Sequence, residues 1–145
     1  MLVNDVIARL DDRVADLKGR IEGAAELSAL IRDGALPPVL PAAFVVPLGL
    51  RPGQVDAAAG LFRQDVDEVV GVVLITDAPG DVTGAGALPT IGELIKDTIE
   101  AVCGFAPGDE VGVFRLSRGA LVSLNAGTVI YQLDFAIADQ LRIAG

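Results

Sequence analysis

The chain has 145 residues, 52% of them apolar, with a mean hydropathy of +0.55. That length suits one domain spanning residues 1–145, and so apolar a composition excludes a disordered chain. Twenty carboxylates against 11 Lys and Arg leave a formal charge of −9, the wrong sign for gripping a phosphate backbone.

Val3, Val6, Ile7, Leu10, Val14, Leu17 and Ile21 recur at steps of three and four, so the first twenty residues read as one amphipathic helix, with Asn4 as a possible cap and Gly19 as a possible stop. The start, Met1 to Leu10, carries Asp5 and Arg9 within that pattern, unlike a basic stretch followed by an apolar run, so no secretory signal is expected and the mature protein should begin here. Ala24 to Arg32 reads as a second helix, closed by Gly34 and the Pro37-Pro38 pair. Ala42 to Leu48 is a short apolar strand ahead of a Gly49-Leu50-Arg51-Pro52-Gly53 turn. Gln64 to Thr76 is a longer strand, apolar on both faces from Val69 to Ile75 and therefore central. Between them, Arg51 to Arg63 suits a long hairpin extension or a mobile loop, and is a candidate interaction arm.

Asp77 to Pro89, rich in glycine and proline, reads as a loop. Thr90 and Glu93 then have capping-box spacing for a helix whose apolar face holds Ile91, Leu94, Ile95, Ile99, Val102 and Cys103. Val111 to Leu116 and Ala120 to Leu124 read as two strands joined near Ser117-Arg118-Gly119 and able to form a hairpin. After an Asn125-Ala126-Gly127 turn, Val129, Tyr131, Leu133, Phe135 and Ile137 alternate with polar residues as one buried face of a strand. The order predicts an α+β fold, a mostly antiparallel sheet with helices packed on one face and a long hairpin or loop arm.

Little in the chain carries chemistry. It has no histidine, which removes the usual general base, the commonest transition-metal ligand and the usual pH switch. Cys103 is the sole cysteine, on the apolar face of its helix, where a thiol acts as a small hydrophobe, and a chain without internal disulfides suits a reducing compartment. The glycines of Asp81-Val82-Thr83-Gly84-Ala85-Gly86 precede a helix, but no Lys-Ser or Lys-Thr pair follows them, and Asp77 and Asp81 would repel a phosphate. Asp65, Asp67 and Glu68 read as a charged sheet edge before a cation site. Ser28, Ser117 and Ser123 have no base to activate them. Aromatic residues are 4% of the chain and tryptophan is absent, too few for carbohydrate platforms. No window nears the roughly 18 apolar residues of a membrane span, so a soluble, non-enzymatic chain is expected, whose apolar surface is partly covered by other subunits.

As a whole the chain resembles the tail terminator proteins of long-tailed phages and prophages. The resemblance lies in Val6-Ile7-Ala8-Arg9-Leu10, Ile21-Glu22-Gly23-Ala24-Ala25-Glu26-Leu27, the proline-flanked Pro41-Ala42-Ala43-Phe44-Val45-Val46-Pro47 and Gln64 opening a long strand. It continues in Val102-Cys103-Gly104-Phe105-Ala106-Pro107 and Tyr131-Gln132-Leu133-Asp134-Phe135. It implies a virion protein of the tail and neck, assembled in the host cytoplasm, that forms a homo-hexameric ring on the head-proximal end of the tail tube and ends tube polymerisation. The implied partners are other copies of itself, the major tail tube protein and a head-completion or connector protein, with DNA only as passing cargo, no membrane and no cofactor. The candidate contact residues on that reading are Arg51, Gln54, Phe62 and Arg63 of the arm, Asp77 and Asp81 of the glycine loop, and Arg115 and Arg118. The alternatives are another neck or tail component, such as a head-closure or tube protein, and a small-ligand-binding α+β module.

Overall fold

The computed structural model describes residues 2–58, 60–77, 88–108, 110 and 112–144, the side chains of residues 88 and 89 excepted. Helix α1 (Leu2–Arg13) is followed by a 3-10 turn, Ala15–Leu17, then β1 (Ile21–Glu22), α2 (Ala24–Asp33), β2 (Ala42–Ala58), β3 (Leu61–Asp77), α3 (Leu88–Val102), β4 (Arg115–Asn125) and β5 (Thr128–Ala144). The five strands form one sheet in the order β1-β2-β3-β5-β4. Among the described residues only the short β1–β2 pair is parallel. The class is α+β with a mostly antiparallel sheet, as the order of elements predicts.

The first helix is shorter than its apolar period suggests. Val14 leaves helical geometry at φ −113° and ψ 97°, and the chain completes its turn as the 3-10 segment. Val6, Leu10, Val14 and Leu17 are nevertheless all fully buried, so the spacing identified the inward residues while the backbone changed its winding. Gly19, at φ +73°, donates its N–H to Asp11 Oδ1 at 2.7 Å and turns the chain into β1. Asn4 lies inside α1, not ahead of it.

Helix α2 ends as its sequence predicts. Gly34 adopts φ +63°, donating to the Ile31 carbonyl, while Ala35 donates to that of Leu30. These two bonds satisfy the last carbonyls in the Schellman pattern, which favours a residue without Cβ. Thr90, by contrast, lies within α3, which already begins at Leu88.

β3 is the central strand, and its alternate residues feed two cores. Val70, Val72 and Leu74 face α1 and α3 together with Ala43, Val45, Leu133, Phe135 and Ile137. Val73 and Ile75 face the other way with Phe44, under Leu27 and Leu30 of α2. Placing every helix on one face was therefore incorrect: α2 covers the opposite face, because the doubly apolar run of β3 needs shelter on both sides. Arg9 pins α1 to the end of α3, donating from Nε to the Ala101 carbonyl at 2.9 Å and lying 4.7 Å over the Phe105 ring.

Two further expectations change. Arg115 to Asn125 is one strand, with Ser117-Arg118-Gly119 inside it at a register shift, so the hairpin expected there is instead β4–β5, closed at Asn125-Ala126-Gly127. Ala126 and Gly127 have φ of +51° and +81°, the sign that a two-residue primed turn requires. The Gly49–Gly53 segment is likewise no turn. β2 runs through it, taking up its glycines and prolines as irregularities between Pro47 and Gly49 and between Pro52 and Val55. No helix among the described residues is long and apolar enough to cross a membrane.

Candidate assembly interface

The expected arm is a three-stranded ribbon. β2 and β3 pair as far as Ala58 and Leu61, and β5 pairs with β3 along its whole length, ending with Ala144 beside Leu61. The closing strand thus runs well past Ile137, where its clearest alternation ends, because the open edge of the hairpin offers it a complete set of backbone partners.

Residues directly opposite across a strand pair share a face. One face of the ribbon therefore carries Leu50, Val55, Phe62, Leu141 and Ile143, continuing the side of the sheet that α1 and α3 cover in the body. Val55 and Ile143 are each 55% exposed and Leu50 is 62% exposed. The other face carries Arg51, Asp56, Arg63, Asp65, Asp67 and Arg142. The arm is amphipathic, its apolar side open and interrupted by Gln64, Glu68 and Asp139.

At its base the charged face is knitted together. Arg115 of β4 pairs with Asp67 of β3 at 2.7 Å, and Arg51 of β2 donates to Ser117 Oγ of β4 at 3.1 Å. The second contact spans β3 and β5, with the small Ala136 and Ala138 on the same face between the partners. Asp65 accepts from Gln140 Nε2 at 3.3 Å. Asp65, Asp67 and Glu68 thus lie on a central strand, and the sheet-edge reading of them is corrected. The carboxylates of Asp65 and Asp67 are held by cross-strand donors.

The candidate contact residues do not form one patch. Arg51 and Arg115 share the polar cluster at the arm's base, while exposed Gln54 and Arg63 and half-buried Phe62 lie further out. Phe62 belongs to the apolar face and Arg63 to the charged one. Arg118 stands opposite Asp134 on β5, and Asp77 sits at the far end of β3, opposite Thr128. Asp81 lies outside the described residues. Leu50, Val55, Leu141 and Ile143 were absent from the candidates, although Ile137, Leu141 and Ile143 continue the alternation of the last strand.

A second apolar surface lies on the opposite face of the sheet. Leu27, Leu30, Ile31 and Leu36 wall a cavity of about 240 Å³ against Val73, Ile75, Val122 and Ile130. Ile31 is 71% exposed and Leu36 is 50% exposed. Its lining holds one polar side chain, Gln132, too little to orient a polar ligand.

Two open apolar surfaces joined to a charged, cross-braced ribbon are features of a part that docks. A search of curated proteins finds no match to the chain. The model of the family described as phage tail terminator protein matches residues 1–144, essentially the whole length. The chain therefore belongs to the phage tail terminator family of structural virion proteins and is a component of the phage tail.

Proposed function

We propose that residues 1–145 act as one domain that assembles into a six-membered ring at the head-proximal end of the tail tube, ends tube polymerisation and presents a joining surface to the head. The observation that carries this reading is the three-stranded arm, whose apolar face is open in a single copy. An isolated monomer gains nothing from such a face, whereas a subunit can bury it against a neighbour or the tube. A closed ring repeats one heterologous contact until the rotation closes, leaving two different rims for two partners. Those partners are the major tail tube protein on one rim and a head-completion or connector protein on the other, and the ring sits in the virion at the junction of tail and neck.

The charge of −9 suits a passage for DNA rather than a grip on it. Acidic side chains line the lumen on this reading, and an assembled ring with a basic or apolar lumen would remove that part of it. Excising Val55 to Gln64, of which Val55–Ala58 pair with Leu61–Gln64 at the tip of the arm, takes away no residue of either core. The shortened chain should fold yet leave tail tubes uncapped, seen as overlong tails by electron microscopy when it replaces the intact protein. Tails of normal length would count against the proposal.

A further inference from the structure

The face of the arm that carries Val55, Phe62 and Ile143 is three strands wide at about 4.8 Å each and about eight residues long at about 3.3 Å each, on the order of 350 Å², apolar except at Gln64, Glu68 and Asp139. That is the size of the largest apolar patch on an ordinary monomer, a patch that is often functional. The groove beneath α2 is a second open apolar surface among the described residues. The two lie on opposite faces of the sheet and toward opposite ends of β3, since Gln64 is on the arm and Ile75 floors the groove, about 36 Å away at about 3.3 Å per residue. They cannot meet within one chain.

Their placement selects the kind of occupant. A two-fold pair built arm against arm would leave both grooves open. Laying the arm of one copy over the groove of another needs no flip of the sheet, because the upper surface at one end meets the lower surface at the other, as in overlapping tiles. Repeating that step head to tail with a constant rotation closes a ring.

We infer that the apolar face of one subunit's arm, around Val55, Phe62 and Ile143, seats on the α2 groove of the next subunit, around Ile31 and Leu36; this rests on the ring reading above and names its joint. With roughly 350 Å² per partner against the roughly 800 Å² of a stable pairing, one such joint is weak by itself. Closure, in which every subunit uses both surfaces, supplies what a single joint lacks.

Cross-linking tests the joint. In a Cys103→Ala background, Val55→Cys places a thiol on the arm and Ile31→Cys places one on the groove wall. The double variant, treated with a short bismaleimide in the presence of tail tubes, should give a ladder of covalent dimers, trimers and larger species up to the ring. The two single-thiol proteins mixed together should stop at a dimer, and each alone should stay monomeric. A control pairing Val55→Cys with Asp16→Cys, exposed beside α1, should give no ladder. A ladder no stronger than this control, or dimers from Val55→Cys alone, overturns the inference. Rings seen by microscopy without the ladder overturn the joint and leave the ring standing, whereas neither rings nor ladder overturns both.

Discussion

Replacing Val55 and Ile143 by threonine separates folding from assembly. Both side chains are 55% exposed in the single copy and both lie in the arm, outside either core. Threonine keeps the β-branch that suits a strand, so the monomer should change by no more than about 0.5 kcal/mol in urea denaturation. In the joint, each hydroxyl would be buried in an apolar groove without a partner, at about 1–3 kcal/mol each. The pair then costs about 2–6 kcal/mol per joint, a weakening of about 30-fold at the low end and more than about 10⁴-fold at the high end. Light scattering with added tail tubes and measurement of tail lengths would read the loss. Rings forming at the wild-type concentration would refute the reasoning. A monomer weakened by several kcal/mol would also refute it, because the two side chains would then belong to the fold.

Phe135→Ala empties a fully buried position between the sheet and the α1–α3 layer and should lower stability by about 3–5 kcal/mol in urea denaturation. Ala126→Asn should raise stability by about 0.5–1 kcal/mol, since Ala126 holds φ +51° in a primed turn where asparagine is the better occupant; no gain in melting temperature would count against that geometry. A double-mutant cycle on Arg115 and Asp67 should give a coupling of no more than about 1 kcal/mol that shrinks with added salt, because the pair is only partly sheltered despite its 2.7 Å contact.

The parts of the interface legible in the sequence were those written in local chemistry. Arg51 to Arg63 lacks a long apolar run between two apolar strands, which identified it as an extension. The segment's glycines and prolines, however, suggested a turn at Gly49–Gly53 where β2 passes straight through. Local propensity was overridden there by pairing with β3, whose uninterrupted strand takes up the irregularities of its neighbour. The apolar row of the arm was missed for a related reason: Leu50 and Val55 come from one strand and Leu141 and Ile143 from another, some 90 residues later in the chain. Only the register of β2 and β5 on β3 brings them onto one face.

By itself the sequence determined the class of fold, the centrality of β3, the inward residues of α1, the glycine stop of α2 and the poverty of catalytic groups. Each of these follows from residue type and periodicity within a short stretch, where burial and backbone conformation leave a direct trace. Tertiary structure alone decided that α2 crosses to the other face, that β4 is unbroken, that β5 extends along the arm, and that the two open apolar surfaces lie at opposite ends on opposite sides. These depend on which strands become neighbours and in what register, and that choice is made by the summed burial and backbone pairing of segments far apart in the chain.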